Sequence, residues 1–318
     1  NITNEKDNLI IIGPIDKYLF KYQSKLGNIW RNLIKLFFAF KFISKLKHLA
    51  KENRGAIFHA HSMYYVFICG LANVNFIATP QGSDTLVRPY KSLIYKYFFI
   101  KAIQKAKYIT VDSTKMAKVI KLFSNREASV IQNGIDTSKA IVKTKTNNLL
   151  RSKVISIRAF ASNYRILEIL ENRNNTLKSK KLEFICPYSE KQYADKLAHK
   201  FIDGDIIHGF VNKNTMANLL LQCYAIVSIP KSDSSPRSVY EAIFYGCIVV
   251  TVNEDWYEML SKCMKERVII TNIIKPFWLK KALLKAKKIS EIKYCPSNEA
   301  LEKFDQVNSM KNFCKTYY

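Results

Sequence analysis

From Tyr224 to Val252 the chain reads YAIVSIPKSDSSPRSVYEAIFYGCIVVTV, a strand, a loop, a helix and a second strand in 29 residues. Ala225 to Ile229 form a short β-branched apolar run of the kind a strand buried on both faces requires. Pro230 ends that run, and a polar loop follows from Lys231 to Pro236. Ser235 or Ser238 can cap the next helix, and Glu241 lies in its first turns. Gly246 stands where a helix C-cap belongs, and Ile248 to Val252 resume as a buried strand. Such a unit calls for a parallel sheet with the loop at its carboxyl edge, where open α/β sheets bind ligands.

The start of that helix offers unpaired N–H groups and a partial positive charge, which suits a diphosphate. Asp233 and Glu241 stand eight apart, one in the loop and one inside the helix, so both carboxylates can face one crevice and accept hydrogen bonds from sugar hydroxyls. The spacing alone slightly favours a plainer reading, in which Asp233 helps cap the helix and Glu241 is solvated.

The same alternation runs through most of the chain. Leu9 to Ile12 is a short candidate strand, and Lys17 to Ala50 reads as one or two basic, aromatic helices. Lys35, Lys41, Lys45 and Lys47 interrupt the apolar residues there, which excludes a membrane span and permits an interfacial helix as readily as a core helix with a solvated lysine face. IFHAHS, NFIATP, YITVDS and ASVIQNGID then supply strands, with a helix to Leu71, another from Tyr90 to Lys105, and a third from Thr114 to Phe123 capped by Ser113. Lys139 to Lys153 is polar and basic and reads as a linker. The second half restarts with VISIR, LEFICP and DIIHGF as strands and helices over 190–201 and 214–222. Two parallel sheets in two domains follow.

At 318 residues the chain has room for two cores, and 48% hydrophobic residues make it globular rather than disordered. Seven scattered cysteines show no CxxC or Cys/His ligand spacing, so neither a zinc site nor a disulfide framework is expected, and a reducing cytoplasm fits. A net charge of +26, heavier in residues 1–150, points to a polyanionic partner such as acidic lipid or phosphorylated substrates, or to a lysine-rich proteome. No nucleic-acid-binding motif accompanies it.

SDSSPRSVYEAIFYGCIVV resembles the donor-site signature of the retaining GT-B glycosyltransferases of family 4, with Asp233 where that family usually has Glu. TPQGSD resembles the family's T-P-H-G-S-D loop, and VIQNGIDT its V-I-x-N-G-I-D turn closing the N-terminal domain. Gln81 replaces a His common in the family; an amide can hydrogen-bond a hydroxyl but exchanges no proton at neutral pH. Arg158, ending the first strand of the second half, resembles the arginine that clamps the donor diphosphate, a role its fork geometry suits. The companion lysine is replaced by Asn163 and Tyr164, as in a variant subset with Tyr there, and Arg165 or Lys231 are candidates for the second cation. IIHGFVNK resembles the segment that holds the base, through Phe210 and Val211, with a core aromatic as the competing role for Phe210.

The resemblance implies an α/β, GT-B architecture: two Rossmann-like domains with parallel sheets facing a central cleft. Residues 1–138 form the acceptor-side domain, 139–153 the linker, 154–300 the nucleotide-sugar domain, and 301–318 a helix returning to the first domain. It implies sugar transfer with retention, from a nucleotide-sugar, best a UDP-sugar, to a glycan or lipid-linked acceptor, with no metal and no cofactor. Asp233, Arg158 and Glu241 carry the chemistry; Tyr164, Phe210, Val211, Ser238 and Val239 complete the donor site. Gln81 and Asp84 line the acceptor side. His59 is a further candidate there: His59 and His61 flank Ala60 at a strand end, where one of them can line the crevice and a structural histidine is the competing role. Asn253 and Glu254 follow the last strand of the nucleotide-sugar domain, near the donor edge, as candidates to contact the sugar. The basic N-terminal half adds an anionic membrane surface as partner, on the cytoplasmic side. Two other readings stand beside this one: a sugar-nucleotide epimerase on the same fold, and a non-catalytic basic binding protein on a decayed transferase scaffold.

Overall fold

A computed structural model describes residues 25–145 and 150–317. The candidate strand Leu9–Ile12 and the start of the Lys17–Ala50 helical segment lie outside the described residues. Chain order through the first half is α1 (Lys25–Glu52), β1 (Phe58–His61), α2 (Met63–Ala72), β2 (Phe76–Thr79), α3 (Gly82–Leu86), α4 (Arg88–Lys91), α5 (Leu93–Lys105), β3 (Tyr108–Val111), α6 (Thr114–Ser124) and β4 (Ser129–Val130). The four strands form a parallel sheet in the order β1-β2-β3-β4. The apolar inner strands suit a sheet covered on both faces; Phe76, Ile77 and Ala78 in β2 are wholly buried, while both residues of the edge strand β4 are exposed.

The segment from Tyr90 to Lys105, expected as one helix, is broken at Ser92. That residue is extended, and its Oγ accepts from the Tyr95 N–H, so it caps α5 instead of continuing α4. Ser113 caps α6 in the same way, through the Met116 N–H.

After β4 the chain turns at Asn133-Gly134 and enters α7 (Thr137–Lys145). The expected linker over 139–153 is therefore helical in its first part. Asp136 accepts from the Lys139 N–H and the Ser138 hydroxyl, and Ala140 is buried in the second domain's core, which anchors the helix on that side. Basic side chains at 139, 143 and 145 disguise this short amphipathic helix as a linker.

The second domain runs β5 (Lys153–Ser156), α8 (Ile166–Thr176), β6 (Glu183–Phe184), α9 (Lys191–Ala198), β7 (Ile206–Ile207), α10 (Lys213–Gln222), β8 (Cys223–Val227), α11 (Arg237–Phe244), β9 (Ile248–Thr251), α12 (Lys262–Lys265), β10 (Val268–Ile270) and α13 (Trp278–Ser290). Its six strands are all parallel, in the order β10-β9-β8-β5-β6-β7, so the chain reverses its direction of winding beside β5 and β8. Alternate residues of the central strands serve two cores, Ile226 and Val249 on one face, Ala225, Val227, Ile248 and Val250 on the other. Gly246, at φ +82°, ends α11 in the left-handed conformation a glycine adopts without strain, so β9 can begin two residues later.

Two last helices, α14 (Asn298–Phe304) and α15 (Gln306–Cys314), join the halves. Ile135 and Asp305 form a parallel β-bridge, and the Thr137 hydroxyl donates to Asp305 Oδ1. Beyond α15, Tyr317 reaches back to β1 of the first domain.

Candidate active site

The carboxyl ends of the two sheets carry the residues that the sequence singles out. Arg158 follows β5 by two residues and is 8% exposed. Its Nε donates to Ser228 Oγ at 2.7 Å, its Nη2 lies 2.9 Å from Asp233 Oδ2, and its guanidinium packs 5.3 Å from the Tyr164 ring centre. Three contacts from two loops, the one after β8 and the one after β5, fix the side chain's direction. Tyr164 sits in a short 3₁₀ turn, Ser162–Tyr164, that is zipped to the donor loop: Lys231 N–H donates to the Asn163 carbonyl at 2.7 Å, and Asn163 Nδ2 donates to the Ser232 carbonyl at 3.1 Å. Arg165, in left-handed backbone at φ 52°, reaches the Pro230 carbonyl at 3.4 Å. Lys231 itself is exposed. Of the two candidates for a second cation, each thus borders the loop without pairing to Asp233.

The donor loop is capped differently from the sequence expectation. No side chain caps α11; the Val239 N–H closes onto the Pro236 carbonyl at 2.8 Å. Ser235 instead donates from Oγ to Gln132 Oε1 at 2.8 Å, a contact between the domains. Val239 is wholly buried in the core, so only Ser238, half-buried, is left at the rim of the helix start. Asp233 does not cap the helix either, being held by Arg158.

Glu241 is half-buried, and burial pushes its carboxyl above the ordinary range, opposed by the charges of Arg237, Lys213 and Lys139. Phe210 is 83% exposed while Val211 packs against the core. That exposure excludes the core role for Phe210. Glu254 Oε2 accepts weakly from the Asp233 N–H at 3.4 Å, so this residue does belong to the same edge.

On the first domain, His59 and His61 stack with ring centres 4.1 Å apart. His59 Nε2 lies 2.7 Å from Thr79 Oγ1, and its Nδ1 lies 2.5 Å from the Tyr317 hydroxyl. Burial, then the His61 charge, lower its pKa to about 4, which keeps the ring neutral. Asp84 is a correction: its side chain is almost wholly buried, accepting from the Met63 N–H at 3.0 Å and pairing with Arg88 at 3.0 Å. It fixes the start of α2, where Ser62 makes no side-chain cap, and does not line an open acceptor surface. Gln81 is exposed at the start of α3. Its neighbour Gly82 touches the donor loop so closely that a Cβ there would lie 2.7 Å from Ser234 Oγ.

Sequence reasoning missed Asp112, the residue after β3. Its Oδ1 is buried with no hydrogen-bond partner, and burial together with the facing Asp233 carboxylate pushes its pKa up to about 6. Gln132 pins it, donating from Nε2 to the Asp112 carbonyl at 2.5 Å. An aspartate at the end of YITVDS, at a sheet's carboxyl edge, is the signal that was available. Around it the domains meet through Lys115–Asp255 at 2.6 Å and Gln132–Met259 Sδ at 3.4 Å. Among the described residues no group of three or more His, Cys, Asp or Glu side chains is placed to hold a metal ion.

This architecture matches solved structures across most of the chain. Anabaena HepE, solved in complex with UDP, superposes with a TM-score of 0.70 at 13% identity, covering 86% of this chain and 81% of that one. Sucrose-phosphate synthase from Thermosynechococcus elongatus gives 0.69 at 10% identity, over 87% and 76% of the two chains. The UDP-forming α,α-trehalose-phosphate synthase of Burkholderia xenovorans, in complex with glucose-6-phosphate, gives 0.68 at 9% identity, over 88% and 78%. The fold is GT-B. Independently, residues 22–139 match the family described as Glycosyltransferase Family 4. That match covers the half of the architecture that holds the four-stranded sheet. No curated protein matches the chain.

Proposed function

We propose that this GT-B protein is a glycosyltransferase that moves a sugar, with retention, from a UDP-sugar to a hydroxyl on a glycan or lipid-linked acceptor in surface-polysaccharide or glycolipid synthesis. One observation carries the reading: Arg158 and Asp233 stand together at the carboxyl edge of the six-stranded sheet, facing the first domain across the cleft. A fixed guanidinium there stabilises charge on a departing diphosphate, and the start of α11 adds its dipole. Asp233 then binds sugar hydroxyls, Glu241 the ribose hydroxyls, and Phe210 offers its exposed ring to the base. Catalysis rests on positioning and on leaving-group charge, with no metal or cofactor needed.

The membrane partner is supported by the surface of α1. Leu33, Leu36, Phe37 and Phe40 recur at helical spacing, and each is more than half exposed. Leu93, Ile94, Tyr97 and Phe98 form a second exposed stripe on α5. With the exposed Lys41, Lys45 and Lys101 on the same helices, these faces suit the interface of an anionic bilayer on its cytoplasmic side. No helix among the described residues is long and apolar enough to cross a membrane.

The test is thermal stabilisation by a panel of nucleotides and nucleotide-sugars, for the wild type and for Arg158→Ala and Glu241→Ala. At about 100 times Kd, stabilisation reaches roughly 2.7 kcal/mol. A shift with uridine nucleotides that both variants lose supports the donor site; a folded protein that responds to none of the panel ends the reading.

A further inference from the structure

Asp112 keeps in the cleft a carboxylate that its own backbone engages, while Oδ1 stays without a partner. It is not needed as a helix cap, because Ser113 caps α6. The nearby cation Lys115 pairs with Asp255. Its Oδ1 is buried and unpartnered, while its carbonyl is fixed by Gln132, which the Ser235 hydroxyl ties to the donor loop. Across the cleft the Tyr240 hydroxyl, on α11, is likewise buried without a partner, within reach of the charges of Asp112, Asp233 and Arg158. Two orphaned polar groups, one from each domain, therefore flank the Arg158–Asp233 pair.

A buried carboxylate oxygen without a donor costs about 1–3 kcal/mol or more, and a like charge opposite adds to the cost. Folds keep such groups where a ligand completes them. The missing partner has to donate a hydrogen bond. A cation is disfavoured, since Arg158 already occupies Asp233 and, among the described residues, no group of three or more His, Cys, Asp or Glu side chains is placed to hold a metal ion. A neutral hydroxyl meets the need without adding charge.

We propose that Asp112 is where the first domain receives the attacking hydroxyl of the acceptor, and that its carboxylate takes the hydroxyl proton during transfer. The proposal rests on the transferase reading above. In the step, the bond from the sugar C1 to the diphosphate oxygen breaks, and its electron pair leaves on the diphosphate beside Arg158. The acceptor oxygen bonds to C1 on the same face that the diphosphate leaves, which keeps the configuration, and its proton passes to Asp112. No other reactant is involved. The arrangement also explains how the cleft dispenses with a base at Gln81, whose amide takes no proton.

Water in place of the acceptor makes the test independent of the acceptor's identity. Hydrolysis of UDP-glucose, UDP-galactose and UDP-N-acetylglucosamine is measured for the wild type, Asp112→Asn and Asp112→Glu, with UDP binding by calorimetry. We expect Asp112→Asn to bind UDP within about two-fold of wild type, with donor KM unchanged and kcat lower by about 100-fold or more. Asp112→Glu should recover part of that loss, which a merely structural role would not produce. Asp112→Asn hydrolysing within about three-fold of wild type would overturn the proposal and leave the transferase reading intact. A wild type that neither binds UDP nor turns over any of the three overturns both.

Discussion

Arg158 Nη2 and Asp233 Oδ2 are 2.9 Å apart, so the two groups assigned to opposite ends of a donor sugar-diphosphate pair with each other. A diphosphate must take the guanidinium over from the carboxylate, which then swings free for sugar hydroxyls. Asp233→Asn should therefore tighten UDP by about three- to ten-fold, because a charged competitor for Arg158 is gone. The same variant should lose most of the extra affinity that a UDP-sugar has over UDP. Calorimetry with the two ligands checks both signs; unchanged UDP affinity would show that the pair does not compete with the diphosphate.

Asp112 gives a pH signature. Its carboxyl titrates near 6 in the folded protein against an ordinary 3.8, so the folded state holds the proton more tightly than the unfolded one. Stability is lost as pH rises from about 4 through 6 and stays lost above, by roughly 2–3 kcal/mol at most. Asp112→Asn should melt higher than wild type at pH 8 and close to it at pH 4. Equal melting temperatures at both would remove the case for a buried, uncompensated charge.

His59 acts with the opposite sign. A histidine lowered to about 4 stays neutral in the fold while the unfolded chain takes up a proton near 6.5. Stability from this group is present above pH 6.5 and falls as pH drops toward 4. His59→Gln should flatten that acid limb relative to wild type. Tyr317→Phe, which removes the hydroxyl on His59 Nδ1, should cost about 1 kcal/mol at pH 7.5 in a denaturant titration.

The α1 stripe predicts vesicle binding. Phe37→Glu with Phe40→Glu places two negative charges on residues that are 73% and 71% exposed. Sedimentation with vesicles of phosphatidylglycerol should fall at least about ten-fold, while UDP binding is unaffected. Equal sedimentation of variant and wild type would assign the stripe another role.

Gly134 is the tightest point of the crossing between the domains, since a Cβ there would meet backbone atoms of Gln306 and Asp305. Gly134→Ala should destabilise by about 3 kcal/mol, read from the melting temperature. A neutral effect would mean that α15 yields easily.

The fold was largely readable because short buried strands and capped helices each carry a local signal. Cys223–Val227 and Ile248–Thr251 are strands for the same reason that their sequences are apolar and β-branched. The helix at 137–145 escaped notice because one buried alanine anchors it among lysines, and what Ala140 packs against lies far along the chain. Asp84 illustrates the converse. Its motif suggested a cleft residue, but Met63 and Arg88 claim both carboxylate oxygens, and only the packed structure reveals that claim. Asp112 was passed over for a related reason: its place after a strand was legible, but its burial and the Asp233 carboxylate that faces it, 121 positions later, were not.

The hydroxyl of Tyr317 rests on the ring of His59, 258 positions earlier in the chain. Nitrating that phenol would enlarge the ring beside the His59–His61 pair and crowd the histidine from its place. Binding or turnover measured on nitrated protein would then describe a different cleft from that of the unmodified one.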